Sequence, residues 1–465
     1  MDVPEPKTLY KDKINNNNSE TDQAEKRLIK SYLKKIDWRI LPVVGLLYIF
    51  ALIDRGSISA ALVSGLRADM DLSKSQEANA ITTFYVFYLF CELPANIALK
   101  KIHPHVWFGL IGSLWAVSCM SLAVATTPAM FIFLRALLGA FEAGITPGIV
   151  AYLNYWYTRS EIGVRMVLFF MASPISGLIG MPLSGFLTSL EFKHFFPYQT
   201  LFFVEVDYPD KATFFTPDER NLILERLNHE KGMASQVNPT FKQTIDILLD
   251  WKIYVNALIL FGLGSIGTVK GLFNPTFLKS AGYSETQAIY LASLSPLCGI
   301  AGVLALILFI DKVSYYKLIV VFGSIATINY SIAVYSHIPQ VRLFFLSISG
   351  FGVSAITPLL LTWASINQGG IYKTLVSSAL IISIGSIPGA FIPKFFVSYY
   401  APNYVIGHVL AISFAGLGIT LTLIMALYYN FENISRDKSQ VDISYLSIDE
   451  QRLKFDNHPD FRYKL

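Results

Sequence analysis

The chain has 465 residues, of which 53% are hydrophobic and 15% are charged, and its mean hydropathy is +0.47. A soluble protein of this length does not sustain such a composition, so the numbers exclude an ordinary soluble enzyme and indicate a polytopic membrane protein. The net charge of +4 is small, and the basic residues cluster in tails and loops. This distribution fits the positive-inside bias of membrane proteins, so a lipid bilayer is an expected partner and nucleic acid is not.

The first 37 residues are polar and are expected to form a disordered cytoplasmic tail. Lys34, Lys35 and Arg39 come just before the first apolar segment, which predicts a cytoplasmic N-terminus. Eleven apolar segments follow, each long enough to cross ~30 Å of hydrocarbon. They lie near 41–61, 79–99, 107–126, 129–150, 165–188, 255–278, 288–309, 317–336, 342–364, 374–397 and 405–428.

Between the fifth and the next segment the sequence has room for only half a crossing. The 11 residues HFFPYQTLFFV between Lys193 and Glu205 would span roughly 16 Å as a helix. The charged residues after them are expected to form a cytoplasmic loop with an amphipathic helix opened by a capping box at Thr216. The predicted divisions are a tail at 1–37, an N-terminal membrane half at 38–206, the central loop at 207–250, a C-terminal membrane half at 251–430 and a cytoplasmic C-terminal tail at 431–465.

Charged residues inside the spans carry the functional signal. Arg135 and Glu142 are seven residues apart in the fourth span, so they share one helix face about 10 Å apart. A charge at membrane depth costs at least ~2.5–3.5 kcal/mol, which favours a polar path and hence a transporter. By helical rise, Asp54, Arg55 and Arg135 fall at one level, and Glu142 and Glu92 fall about 10 Å above the cytoplasmic edge. The sequence therefore predicts an Asp-Arg-Arg layer above a carboxylate layer.

Several motifs resemble the major facilitator superfamily, and within it the fungal allantoate permease-like branch of the anion:cation symporters. The matching segments cover most of the chain after residue 35 and include 52–55 (LIDR), 92–96 (ELPAN), 135–148 (RALLGAFEAGITPG), 152–157 (YLNYWY), 207–210 (DYPD), 401–404 (APNY) and 457–463 (NHPDFRY). The resemblance implies an all-α polytopic membrane protein with the major facilitator fold of two six-helix halves. By this comparison the sixth helix of this chain is expected to be truncated, which leaves 11 clear spans. It also implies a monomeric, multi-pass plasma-membrane transporter that works by alternating access.

The resemblance assigns roles to the charged residues. In related organic-anion symporters an Asp-Arg pair and an Arg…Glu pair carry substrate binding and proton coupling. Carried to this chain, Arg55 and Arg135 would bind the substrate, while Asp54 and Glu142 would couple its movement to protons. Arginine suits this task because it stays charged and can hold a carboxylate with two parallel hydrogen bonds. The alternative is that these residues form structural ion pairs that hold the helices in register.

The remaining candidates are less tied to the family. Lys270 stands where relatives usually have an aromatic residue, and we expect it to face the cavity and bind an anionic substrate, with Asn274 as a nearby polar liner. Glu92 is expected to be a gating or structural contact. Asp311 and Lys312, in a short loop, are expected to be gating or structural residues too. The three cysteines fall in apolar spans and imply neither a disulfide nor a metal site.

The sequence therefore predicts proton-coupled uptake of a small organic anion, such as allantoate, ureidosuccinate, nicotinate or another vitamin-like carboxylate. Protons serve as the coupling ion, and no cofactor is expected. The alternative is a transport-inactive paralogue or nutrient sensor that has lost helix six. A skipped exon in the gene model would instead explain the missing residues and favour the transporter. An enzyme is not expected, because no Ser/His/Asp, Cys/His or metal-ligand constellation occurs at membrane depth in the sequence.

Overall fold

The computed structural model describes residues 19–63, 70, 72–102, 104–122, 125–189, 241–396, 404–438 and 454–465. Every regular element within these ranges is a helix. Ten helical segments in them are long and apolar enough to cross a membrane, and Val106–Leu122 is a shorter apolar helix. These eleven segments coincide with the eleven predicted spans, so the all-α polytopic prediction is confirmed. The predicted half-crossing and the Thr216 helix lie outside the described residues.

The described residues up to Ser189 form seven helices. They are α1 Ser19–Val63, α2 Lys74–Lys101, α3 Pro104–Leu122, α4 Pro128–Glu142, α5 Ile145–Trp156, α6 Ile162–Phe170 and α7 Ala172–Ser189. The fourth span is thus built from α4 and α5, with a turn at Ala143 and Gly144, and the fifth span from α6 and α7. Both interruptions lie between buried residues, where neighbouring helices shield the backbone from lipid.

The described residues from Phe241 onward form nine α-helices. They are α8 Phe241–Leu248, α9 Trp251–Ser280, α10 Glu285–Ala292, α11 Leu294–Phe309, α12 Tyr315–Tyr335, α13 Pro339–Ile366, α14 Ile371–Gly385, α15 Ile387–Phe391 and α16 Val405–Lys438. Short 3-10 turns occupy Ile392–Phe395 and Phe455–Asn457. The break between α14 and α15 falls at Ser386, two residues before Pro388, which lacks the amide hydrogen that a continuous helix would use.

The tail prediction is wrong for residues 19–37. Helix α1 begins at Ser19 and continues through the first span without a break. Tyr32, Ile36, Ile40 and Val44 are all buried and recur every four residues, so one apolar face extends the helix well before the membrane segment. Charged residues lie between these positions and make the segment polar on average, so its composition alone did not indicate the apolar face. Residues 1–18 lie outside the described part of the chain.

Two of the close contacts between the halves in the described residues involve glycines. Gly389 of α15 lies against the ring of Tyr85 in α2, where an added Cβ would come within 2.5 Å of a ring carbon. Gly177 of α7 lies against Pro296 of α11, where an added Cβ would come within 2.7 Å. Small residues at such crossings allow membrane helices to approach closely. The α2–α15 and α7–α11 junctions are therefore two of the places where the halves pack closely.

Gly139 controls the approach of α4 to α2, which positions the charged side chains of both. A Cβ at residue 139 would lie 2.2 Å from the backbone oxygen of Phe84. We expect Gly139→Ala to destabilise the protein by about 1–3 kcal/mol, because the helices must separate to admit the methyl group. The thermal unfolding midpoint of the detergent-solubilised protein measures this. Gly271→Ala is the matched control, since nothing lies within 4 Å of its added Cβ. Equal midpoints for the two variants would contradict the expectation.

Candidate functional site

The centre of the candidate site is an ion pair between α1 and α4. The Nε atom of Arg55 lies 2.6 Å from Oε1 of Glu142. Glu142 is completely buried, whereas the Arg55 side chain is 19% exposed. Glu142 is also the last residue of α4, directly before the turn at Ala143 and Gly144. The pair therefore ties α1 to the interruption in the fourth span.

The predicted separation into two polar layers is wrong for this pair. Helical rise places the backbones of Arg55 and Glu142 at different depths, but it ignores the direction of the side chains. Each Cα–Cβ bond tilts toward the N-terminal end of its helix, and α1 and α4 run in opposite directions across the bundle. The long Arg55 side chain therefore descends while Glu142 points up toward it, and the two charges meet between the expected layers.

Arginine and aromatic side chains surround the pair. The Arg55 guanidinium lies 4.6 Å from the ring centroid of Tyr88, and the Arg135 guanidinium lies 4.8 Å from that of Phe84. Both rings belong to α2. Arg135 is 3% exposed, and its Nε donates a long hydrogen bond to the Ala80 carbonyl at 3.4 Å. Aromatic faces attract cations without neutralising them, so α2 provides a surface that holds both guanidinium groups in place.

Asp54 has a different environment from its neighbour Arg55. Its carboxylate accepts hydrogen bonds from Nε1 of Trp115 at 3.0 Å and from the thiol of Cys119 at 3.1 Å, both on α3. Successive helix residues point about 100° apart, which explains why Asp54 faces α3 while Arg55 faces α4. The structure thus places Asp54 beside the site, and its predicted part in proton coupling stays a prediction.

Two polar atoms of the central pair can each form a further hydrogen bond. Within the described residues, Nη2 of Arg55 and Oε2 of Glu142 are buried and have no hydrogen-bond partner. Buried polar atoms in folded proteins are nearly always paired, so atoms of this kind call for an explanation. Neither residue has a second oppositely charged side chain within 4 Å in the described ranges. The Arg55–Glu142 pair can therefore hydrogen-bond to a small polar molecule or exchange a proton.

Glu92 lies where the two halves touch. It is completely buried in α2, and its Oε2 accepts a hydrogen bond from the hydroxyl of Ser383 in α14 at 2.6 Å. Its Oε1 has no hydrogen-bond partner within the described residues. A contact that must break if the halves separate suits the predicted gating or structural role, which stays a prediction.

Lys270 and Asn274 lie together on α9, facing neighbours within the C-terminal half. The Lys270 ammonium is buried and donates to the Leu346 carbonyl at 2.8 Å and to the Ser349 hydroxyl. Within the described ranges it has no carboxylate within 4 Å. Asn274 donates to the Ala292 carbonyl at 3.3 Å, and its Oδ1 has no hydrogen-bond partner there. Neither residue contacts the Arg55–Glu142 pair directly.

The two charged loop residues lie at the surface, and no metal site is found in the described residues. Asp311 and Lys312 are exposed at the turn between α11 and α12, away from the central pair. In the part of the chain that the structure describes, no group of three His, Cys, Asp or Glu residues could hold a metal ion. The roles predicted for Asp311 and Lys312 stay predictions.

Sequence reasoning missed the face of α2 that organises the site. Phe84, Tyr88, Glu92 and Asn96 recur every four residues and are all buried. This spacing was a signal that could have been found, because residues at i and i+4 share a helix face. No sequence pattern indicated Ser383 or Trp115, because each forms its hydrogen bond with a carboxylate that is distant in sequence.

A sequence profile of the Major Facilitator Superfamily matches residues 44–393. The chain belongs to that superfamily. Among the relatives of this facilitator chain, the MFS transporter prlL of Fungal sp. is 26% identical over 390 residues, covering 77% of this chain and 78% of that protein. The major facilitator-type transporter hxnP of Emericella nidulans is 25% identical over 466 residues, covering 94% and 93%. A protein of Agrobacterium vitis provisionally named a tartrate transporter is 28% identical over 292 residues, covering 59% and 66%.

Solved structures share the fold of this facilitator. The human organic anion transporter MFSD10 (TETRAN) has a TM-score of 0.59 at 13% identity, covering 83% of this chain and 99% of that one. The Escherichia coli fucose:proton symporter FucP has a TM-score of 0.57 at 14% identity, covering 83% and 98%. At such identities the likeness shows the fold alone. The two charged helices α1 and α4 thus lie within a fold that these solved structures share.

Proposed function

We propose that this chain is a secondary active transporter that takes up a small organic anion together with protons. It would act by alternating access, as a monomer in the plasma membrane with both termini in the cytoplasm, and it would belong to the allantoate permease-like branch. The observation that carries the proposal is the buried Arg55–Glu142 pair beside Arg135, with one guanidinium nitrogen and one carboxylate oxygen still available.

The charge balance of the site favours an anion. Glu142 neutralises Arg55, whereas Arg135 and Lys270 have no carboxylate within 4 Å in the described ranges. A buried cation without a counter-ion is costly, and a bound carboxylate would lower that cost while accepting charge-assisted hydrogen bonds. The relative named as a tartrate transporter supports a carboxylate, and allantoate, ureidosuccinate and nicotinate belong to the same chemical class.

Glu142 is the proposed proton carrier. Its buried carboxylate is stabilised by Arg55, and a nearby cation favours the charged form of an acid while burial disfavours it. A substrate carboxylate that binds Arg55 would compete with Glu142 for the guanidinium, which would then favour protonation of Glu142. Substrate and proton would thus bind together and leave together.

Uptake by cells that express the protein tests the proposal. Radiolabelled allantoate, ureidosuccinate, nicotinate and tartrate are offered separately at external pH 5 and pH 7.5, with Arg135→Ala as the control. We expect saturable uptake of at least one of them, greater at pH 5 and lost in the control. Absence of uptake from the whole panel by correctly inserted protein would favour the transport-inactive alternative. Full uptake by Arg135→Ala would exclude the proposed site.

Lys270 is expected to strengthen substrate binding from the C-terminal half. In Lys270→Met we expect KM to rise about tenfold, because one charge-assisted hydrogen bond contributes about 1.5–3 kcal/mol. Uptake kinetics with the transported anion measure this. Lys279→Met is the matched control, because Lys279 lies on the same helix and its exposed side chain pairs with Glu285. An unchanged KM in Lys270→Met would remove Lys270 from the site.

A further inference from the structure

The described residues at the C-terminal end of the chain, 454–465, form a strap that is anchored by a buried carboxylate. Asp456 is 1% exposed and forms ion pairs with the ammonium groups of Lys252 in α9 and Lys373 in α14. Asp250 pairs with Lys373 as well, and Asp456 accepts a hydrogen bond from the Tyr463 hydroxyl at 2.9 Å. Burial opposes the charge on Asp456, but Lys373 and Lys252 outweigh it and hold the pKa of the carboxyl below its usual range. The anchor is therefore charged at neutral pH.

The strap is fastened to the C-terminal half at further points. The Tyr463 ring stacks on the Tyr429 ring of α16 with centroids 4.4 Å apart. The Lys464 amide donates a hydrogen bond to the Asn367 side chain, which donates one back to the Lys464 carbonyl. The Lys464 carbonyl also accepts a hydrogen bond from Nε1 of Trp363 at 2.8 Å. The carbonyl of Leu465 accepts a bond from the Tyr315 amide at 3.0 Å. These contacts join the strap to α12, α13 and α16 as well as to α9 and α14.

The same strap reaches across to the N-terminal half. Arg159, in the turn between α5 and α6, places its guanidinium 4.4 Å from the ring centroid of Phe461. Its Nη2 donates to the Arg462 carbonyl at 3.3 Å, and the Lys464 ammonium donates to the Arg159 carbonyl at 3.5 Å. The strap thus connects the two halves at the end of the molecule where Lys252 and Lys373 lie, which the positive-inside pattern assigns to the cytoplasm.

We propose that the terminal strap is a latch that stays on the C-terminal half and must release Arg159 before the cytoplasmic end can open. The two attachments differ in kind. The attachment to the C-terminal half uses a buried carboxylate between two ammonium groups, stacked rings and backbone hydrogen bonds. The attachment to Arg159 uses a partly buried side chain, an aromatic face and backbone carbonyls. When the halves move apart, the second attachment gives way first, so the strap adds to the free energy of opening without blocking it.

Reversible cross-linking tests the latch in the transporting protein. Cysteines at Arg159→Cys and Phe461→Cys are joined by a short bifunctional methanethiosulfonate, and uptake is measured before and after dithiothreitol. We expect uptake to fall at least tenfold on cross-linking and to recover on reduction. The control joins Asp437→Cys to Arg462→Cys, which replaces a surface ion pair within the C-terminal half and should leave uptake unchanged. Undiminished uptake by the strap-to-Arg159 cross-linked protein would overturn the proposal.

A distance measurement between spin labels tests the latch without any substrate. Such a test is needed because the latch rests on the alternating access proposed above. Spin labels at Ser160→Cys and Lys317→Cys, with the three native cysteines replaced by serine, report the distance between the halves at this end. Adding Arg159→Ala should raise the population of the longer distance about two- to fivefold, since one cation–π contact and the hydrogen bond from the guanidinium to the Arg462 carbonyl are lost, while the backbone carbonyl that accepts from Lys464 remains. An unchanged distance distribution would refute the latch even if transport is confirmed, and a shifted one would support it even if no substrate is found.

Discussion

Arg55→Gln is expected to lower uptake at least 100-fold while the protein still reaches the membrane. The change removes the cation that lies 2.6 Å from the buried Glu142 carboxylate. Breaking a buried pair by removing one partner costs about 3–5 kcal/mol, and in this site it also removes the guanidinium nitrogen available to the substrate. Initial uptake rates, normalised to the protein at the cell surface, measure the loss.

The double variant Arg55→Gln, Glu142→Gln separates substrate binding from a structural ion pair. If the pair only holds α1 and α4 in register, two neutral amides of similar size can hydrogen-bond to each other and restore most of the uptake. If Arg55 binds the substrate, the double variant stays as inactive as Arg55→Gln alone. We expect the second result. Recovery of uptake in the double variant would make the ion pair structural and would move the anion site elsewhere.

Glu142→Gln on its own is expected to abolish accumulation but to retain exchange. A neutral amide cannot carry a proton, so the variant should equilibrate its substrate across the membrane without concentrating it. For one coupled proton, a gradient of one pH unit supplies about 1.4 kcal/mol, which is about tenfold accumulation. We therefore expect an accumulation ratio of about ten for the unaltered protein in such a gradient and close to one for Glu142→Gln. Proteoliposomes with a fixed pH difference measure both values, and counterflow measures exchange.

Glu92→Gln is the matched control for this experiment. Glu92 is also a completely buried carboxylate, but it accepts its hydrogen bond from Ser383 and has no basic side chain within 4 Å in the described ranges. Its variant should keep the accumulation ratio even if the rate of uptake changes. Accumulation that persists in Glu142→Gln and is lost in Glu92→Gln would transfer the coupling role to Glu92.

The spans were predictable from sequence because hydropathy over 20 residues is a local property. The charged candidates were predictable for the same reason, since an Arg or Glu inside an apolar run is conspicuous. The pairing of these charged residues with one another was not predictable from sequence. Arg55 and Glu142 are 87 residues apart, and helical rise locates backbone atoms without the direction of a long side chain. The Glu92–Ser383 contact, across 291 residues and both halves, depends on how the halves pack and leaves no local trace.

The strap was the least predictable part of the fold. Residues 431–465 are polar and were expected only to form a cytoplasmic tail. The burial of Asp456 in the strap depends on Lys252 and Lys373, which in sequence look like ordinary topology signals at the ends of spans. Only the folded C-terminal half brings the two ammonium groups together around a single carboxylate. A tail rich in charge and aromatic rings carries no pattern that distinguishes a docked segment from a solvated one.

The position of Asp456 also has a consequence for biosynthesis. Lys252 and Asp456 are separated by 204 residues, so the ribosome makes the strap after every helix from α1 to α16. Until then, Lys252 and Lys373 outnumber Asp250 at their site and must stay in contact with water or lipid headgroups. Docking of the strap can therefore occur only after α1 to α16 have been synthesised, so it is a later step than the insertion of these helices.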